Sequence, residues 1–285
     1  MAFEYEKYLR MDKIPHLWCP GCGIGIVLKA ILRAADRMGW DNDDIAFVSG
    51  IGCTSRAPGY VDVNTLHTTH GRALTFATGI KMAQPKKHII VIGGDGDSTA
   101  IGGNHFIHAC RRDIDITMVV VNNHIYGMTG GQHSPTTPIG TFASTTSYGN
   151  IDPSFDISRL ASAAGASYVA RSHVKKGKVL ENYIFKAMSN IGFSVVEALS
   201  NCHTQFGRRN KMADPVVAVQ WIADNEVTLP KAKKMTAEEL EGKFITGEYV
   251  TENDDFSTWE YYNRSKIEYT EAYENLKKTA LKKNK

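Results

Sequence analysis

Apolar positions along this chain switch between two rhythms. Ile24, Val27, Leu28, Ile31, Ala34, Ala35 and Met38 recur at the spacing of one helical face, and Gly39 follows as a stop signal. Ile45–Ser49, His88–Ile92 and Ile116–Val121 are short unbroken apolar runs, as expected of strands buried on both faces. Further helices are predicted over Gly71–Ala83 and Ser98–Cys110. Helix, strand, helix and strand follow over Ile157–Ala164, Tyr168–Arg171, Lys175–Asn190 and Phe193–Ala198. This alternation predicts an α/β fold, a mainly parallel sheet covered by helices on both faces.

Three stretches stand outside the alternation. The chain to about Trp18 is polar with scattered aromatics and reads as an irregular arm. Gly127–Tyr148 is rich in Gly, Thr, Ser and Pro, the composition of a long functional loop. From Asp214 the chain becomes charged and aromatic, with Tyr262, Tyr269, Tyr273 and Leu276 near heptad spacing. The organisation expected is a main domain over 1–213 and a C-terminal helical extension over 214–285, packed on that domain or on a partner subunit.

Composition narrows the setting. The net charge is +3 and Lys and Arg are scattered, which gives no support for binding nucleic acid or a membrane surface. No segment approaches the apolar length of a membrane span, and the N-terminus lacks the pattern of a secretory signal, so a cytoplasmic location is expected. Thiols stay reduced there, so the five cysteines are not read as a disulfide framework. Clustered cysteines then need another reason.

Gly94-Asp95-Gly96 closes one predicted strand and Asn122-Asn123 closes the next. Both fall at carboxyl ends of parallel strands, the edge where open α/β sheets bind ligands. Glycines admit an anion close to the backbone, and the following helix offers unpaired N–H groups to a phosphate. Asp95 and the Asn123 side chain are hard oxygen donors suited to magnesium. No G-x-x-x-x-G-K-[ST] loop occurs, and the glycines lack dinucleotide spacing. The paired halves resemble the thiamin-diphosphate motif of transketolase and the oxoacid decarboxylases. By that resemblance Asp95, Asn123 and the Ile125 carbonyl hold Mg2+. Gly94, Gly96, Asp97, Gly127, Met128 and Thr129 line the diphosphate, with Ile51 and Gly52 also beside the cofactor.

Cys19-Pro20-Gly21-Cys22 is a C-x-x-C pair, whereas Cys53 and Cys202 each follow a predicted strand. Four such thiolates could enclose zinc or an iron–sulfur cubane, and spacing alone leaves both open. Cys110 lies on a predicted helix and reads as a buried structural thiol.

Taken together, C-x-x-C, Ile-Gly-Cys, Gly-Asp-Gly, Asn-Asn-x-Ile-Tyr-Gly-Met-Thr-Gly-Gly-Gln and the late cysteine resemble the β subunits of 2-oxoacid:ferredoxin oxidoreductases over about residues 15 to 215. The resemblance implies a thiamin-diphosphate-binding fold and one 4Fe–4S cluster on Cys19, Cys22, Cys53 and Cys202. It also implies a separate α subunit that completes the pocket, with coenzyme A, ferredoxin and a 2-oxoacid as reaction partners. It places His70, of the weak H-x-x-H pattern His67–His70, near thiamin and substrate; a capping or core histidine is the bland alternative. Arg56 follows the cluster ligand Cys53 and suits the oxoacid carboxylate, against the alternative of a surface ion pair. The short chain, Cys53–Tyr60 and Gln205–Asn210 look most like the 2-oxoglutarate branch, with pyruvate and branched-chain acids open. A non-redox thiamin carboligase or decarboxylase with structural zinc and a non-catalytic zinc scaffold are the rival readings.

Overall fold

The structure, a computed structural model, describes residues 3–249. The heptad-like stretch from Tyr262 lies outside the described residues. In chain order the elements are α1 (Ile24–Met38), β1 (Ile45–Ser49), β2 (Asn64–His67), α2 (Ala73–Ala83), β3 (His88–Gly94), α3 (Gly103–Arg112) and β4 (Ile116–Asn122). A two-residue hairpin follows, β5 (Ile125–Tyr126) with β6 (Gln132–His133). Then come α4 (Ile157–Ala163), β7 (Tyr168–His173), α5 (Gly177–Ser189), β8 (Phe193–Leu199), α6 (Pro215–Asp224), β9 (Glu226–Thr228), α7 (Leu229–Ala232) and β10 (Phe244–Glu248).

Eight strands form one sheet in the order β2-β1-β3-β4-β8-β7-β10-β9. All neighbours are parallel except β10 against β7. Successive side chains on a strand point to opposite faces, and each face therefore has its own core. Ile45, Phe47, Ile90, Ile92, Val119, Val121 and Val196 meet α1 and α5 on one side. Ala46, Val48, Ile89, Val91, Met118, Val120 and Val195 meet α2, α3 and α4 on the other. Burying each such Val, Ile, Met or Phe contributes about 1.5–3 kcal/mol. The α/β expectation of a parallel sheet covered on both faces is met.

Three departures have physical causes. The arm before Trp18 is ordered: Tyr8 is buried in the first core, its hydroxyl donates to Asp36 at 2.9 Å, and Leu9 bridges to Val61. Its anchors are single aromatics without periodicity, so pattern reading found no element. The stretch Ser98–Cys110 is not one helix but a wide π turn, Asp97–Ile101, followed by α3. One extra residue in the turn leaves the apolar spacing almost unchanged. Beyond Asp214 the described residues contribute strands as well as helices, because β10 adds to the edge of the main sheet at β7.

A buried ionic network lies under the site. Glu197 of β8 accepts from Asn122 Nδ2 at 2.8 Å, Ser158 Oγ at 2.8 Å and Arg171 Nε at 2.7 Å. Arg171 also pairs with Asp156.

Candidate active site

The strands β1, β3, β4 and β8 end at one edge of the sheet and deliver Cys53, Asp95, Asn123 and Cys202 there. Asp95 is buried, and its Oδ2 accepts hydrogen bonds from the hydroxyls of Ser134 and Thr136, the latter at 2.7 Å. Burial pushes its carboxyl up to about 6, against the opposing pull of those hydroxyls. Asn122 and Asn123 divide the labour. Asn122 is held through Nδ2 by Glu197, and its Oδ1 accepts from Thr136 at 2.8 Å. Asn123 Oδ1 is buried and accepts no hydrogen bond. Such an orphaned buried oxygen is one that a hard cation could satisfy. Ile125, the third expected ligand, sits in the hairpin opposite His133.

Gly96 faces the ring of Tyr126, where a Cβ would come within 2.3 Å of ring carbons. Tyr126 also donates through its hydroxyl to the Gly96 carbonyl at 3.2 Å. Met128 and Thr129 are exposed, and Thr129 donates to Gln132 at 2.6 Å. Gly131 is pinned by its N–H to Tyr126 O at 2.9 Å.

The Asp97 carboxylate is occupied by protein groups. Its Oδ1 accepts the backbone N–H of Ile51 at 3.1 Å and of Gly71 at 2.8 Å, and it also faces His70 Nδ1. Asp97 therefore ties the end of β1 to the loop carrying His70. Ile51 is 37% exposed, and Gly52 has φ 114°. Arg56 lies exposed on the turn after Cys53, and its guanidinium makes no hydrogen bond or ion pair among the described residues. The surface ion pair offered as an alternative is absent there.

The distant cysteines come together. Thr204 Oγ1 lies 3.8 Å from both Cys19 Sγ and Cys202 Sγ. A Cβ on Gly127 would meet Cys202 Sγ at 3.4 Å and Cys53 Sγ at 3.8 Å. Burial pushes the Cys22 thiol up to about 12, with Cys202, Cys53 and Cys19 adding repulsion. The Cys53 thiol is raised in the same way. Among the described residues no three His, Cys, Asp or Glu side chains gather tightly enough for a single metal ion. Two contacts hold this arrangement: Trp18 Nε1 donates to Cys53 O at 2.7 Å, and Asn201 Nδ2 to Gly21 O at 3.0 Å. Cys110 stands apart, fully buried in the second core, as the sequence indicated.

Sequence reasoning gave no place in the site to Ser134, Thr136, Trp18 or Glu197, and met Tyr126, Gln205 and Arg209 only as members of family-like stretches. The hydroxyl run Ser134-Pro135-Thr136-Thr137 was visible, but nothing in its spacing pointed to Asp95. A cavity of about 720 Å3 is lined by Arg171, Lys176, Glu226 and Leu229 and touches none of these groups. A cavity of about 310 Å3 does open at the site, beside Tyr126, Ser134 and Asn150.

Residues 50–198 match the family of thiamine pyrophosphate enzymes, C-terminal TPP binding domain. The chain is 53% identical over 246 residues to the 2-oxoglutarate synthase subunit KorB of Methanothermobacter marburgensis, covering 86% of each chain. It is 50% identical over 244 residues to the protein of that name from Methanocaldococcus jannaschii, covering 86% of this chain and 90% of that one. Among solved structures it resembles 2-oxoglutarate:ferredoxin oxidoreductase from Magnetococcus marinus with 2-oxoglutarate, coenzyme A and succinyl-CoA bound. That match has a TM-score of 0.76 and 35% identity, over 87% of this chain and 84% of that one. With the strand-end geometry, these likenesses place the chain in the thiamin-dependent family of 2-oxoglutarate synthase KorB subunits, the β subunits of 2-oxoacid:ferredoxin oxidoreductases.

Proposed function

We propose that this chain, with an α subunit, oxidatively decarboxylates 2-oxoglutarate with coenzyme A to succinyl-CoA and carbon dioxide, and passes two electrons through a 4Fe–4S cluster to ferredoxin. With ferredoxin sufficiently reduced, the same reaction fixes carbon dioxide. The observation that carries this reading is the position of Gly127. It follows Asn123 in the cofactor loop and backs directly on Cys202 and Cys53, so the thiol group adjoins the thiamin site.

Asp95 and the unpartnered Asn123 Oδ1 would hold Mg2+ with the Ile125 carbonyl. A cation at that point favours the charged carboxylate that burial otherwise opposes. The backbone of Gly94, Gly96, Gly127, Met128 and Thr129 would then face the diphosphate. Cys19, Cys22, Cys53 and Cys202 would ligate the cluster, whose positive irons make the thiolate forms favourable despite their burial. Thiamin supplies the electron-sink chemistry for decarboxylation, and the cluster accepts electrons singly.

The chain's own groups address substrate. Arg56, exposed and unpaired, can bind the oxoacid carboxylate in a charge-assisted pair. Asp97 engages His70 Nδ1, leaving Nε2 as the nitrogen able to exchange a proton with substrate. The α subunit is expected to supply the glutamate that activates the aminopyrimidine.

The test is turnover by the co-expressed α/β assembly, purified without oxygen. Ferredoxin or viologen reduction should require 2-oxoglutarate, coenzyme A and thiamin diphosphate together. Reduction with pyruvate alone would keep the family and change the substrate. Electron-acceptor-independent release of carbon dioxide would favour the carboligase or decarboxylase reading.

A further inference from the structure

Beside the cofactor loop lies a positive charge that the reaction described so far does not use. Arg209 is half-buried and reaches over the turn that follows Cys202 to the loop after Asn123. Its Nη1 donates to Gln205 O at 3.0 Å and Gln205 Oε1 at 2.7 Å, and its Nη2 to Gly130 O at 3.0 Å. All three acceptors are neutral. A guanidinium has five N–H donors, so Nε–H and one Nη2–H are left, enough for one carboxylate. No Asp or Glu among the described residues pairs with Arg209, whereas buried Arg171 has both Glu197 and Asp156. Partial burial of a cation without an anion is unfavourable, so this position is short of one negative charge.

The loop is shaped around that cation. At Gly131, φ is +93° and a Cβ would lie 2.7 Å from Arg209 Nη1, so any side chain there would displace the guanidinium. At Gly130, φ is +113° and nothing lies within 4 Å of where a Cβ would stand. The loop thus offers bare backbone and open space next to a fixed cation. Arg72 also lacks a carboxylate, but its Nη1 is spent on carbonyls of His70, Gly71 and Ile101.

We infer that Arg209 recognises the distal carboxylate of a dicarboxylic 2-oxoacid, and so determines specificity for 2-oxoglutarate over monocarboxylic 2-oxoacids. Arg56 after the end of β1 serves the carboxylate that is lost, and Arg209, reaching to the cofactor loop from the turn after Cys202, serves the one that is kept. The inference rests on the proposed 2-oxoacid oxidation. Gln205 is part of the device: its side chain and carbonyl hold Nη1, which fixes the plane of the guanidinium and the direction of its free donors.

The experiment compares 2-oxoglutarate with 2-oxobutyrate, which lacks the distal carboxylate, in the α/β holoenzyme carrying Arg209→Gln, Arg209→Lys or the neighbouring control Arg208→Gln. Arg209→Gln should lower kcat/KM for 2-oxoglutarate about 30- to 100-fold, the size of a lost charge-assisted contact, and change that for 2-oxobutyrate by less than about threefold. Inhibition by glutarate, a non-reacting dicarboxylate, should weaken in parallel. Arg209→Lys should recover part of the loss, and Arg208→Gln should behave as wild type. Equal losses on both substrates would show that Arg209 only props the loop and overturn the inference, as would no loss on either. If the wild type oxidised 2-oxobutyrate but not 2-oxoglutarate, the proposed substrate itself would fail before any variant was needed.

Discussion

Asp97 faces His70 Nδ1 although the two lie 27 positions apart, and the same carboxylate oxygen accepts the N–H groups of Ile51 and Gly71. One buried acceptor therefore aligns the end of β1 and sets which imidazole nitrogen stays free. Asp97→Ala should remove about 1–3 kcal/mol of stability by stranding the buried Gly71 N–H and the partly buried Ile51 N–H. Asp97→Asn, which keeps an acceptor oxygen, should restore most of that stability and recover little activity. Chemical denaturation beside steady-state kinetics checks this; an Asn variant with full kcat would show that the carboxylate's charge does not serve His70.

Gly96 and Tyr126 make a second tight pair. Gly96→Ala puts a methyl within 2.3 Å of the Tyr126 ring, so the ring or the diphosphate loop must move. Thiamin diphosphate affinity, measured by titration with Mg2+ present, should fall at least about tenfold. The double variant with Tyr126→Ala should regain part of it. No recovery would mean that the alanine obstructs the ligand rather than the tyrosine.

The fold was legible because strands buried on both faces leave unbroken apolar runs, as at Ile116–Val121, and helices leave one-sided stripes, as at Ile24–Met38. The edge strand β2 was not legible: Asn64-Thr65-Leu66-His67 is half-exposed and carries no apolar alternation. Strand-end residues such as Asp95, Asn123 and Cys53 stood out in the sequence because local motif and position mark them, and the structure gathers them at one sheet edge. Ser134, Thr136 and Trp18 were missed because they act across the fold, where no spacing rule reaches. Asp97 shows the converse: it sits inside the motif, yet its carboxylate turns to Ile51, Gly71 and His70.

Glu197 shows how the site is held from below. It accepts from Arg171, Ser158 and Asn122 in the interior. Removing one member of such a buried charged network costs about 3–5 kcal/mol. Glu197→Ala should lower the urea midpoint accordingly and loosen Asn122, the neighbour of Asn123. A loss below about 1 kcal/mol would show that Asp156 alone satisfies Arg171.

His173 gives stability a pH dependence. It is buried, and its Nε2 lies 3.3 Å from Glu226 Oε2 without hydrogen-bond geometry. Burial lowers its pKa below 6.5, with Lys176 and Lys175 adding to the effect and Glu226 opposing it. The unfolded chain thus binds the proton more readily. The stability from neutral His173 is present above the unfolded pKa of about 6.5 and is lost as pH falls through the folded value. Melting temperatures between about pH 7.5 and 5 should fall less steeply for His173→Gln than for wild type. Parallel slopes would place the acid sensitivity elsewhere.

The central claim is an electron-accepting cluster beside a thiamin site, and iron, sulfide and zinc analysis with visible spectra on the anaerobic α/β assembly tests it directly. This chain should account for about four irons and four sulfides, the content of one 4Fe–4S centre. That iron should be lost in Cys53→Ser and kept in Cys110→Ala, and the visible absorption should bleach when 2-oxoglutarate and coenzyme A are added. One zinc, no iron and no colour in intact protein would contradict the account.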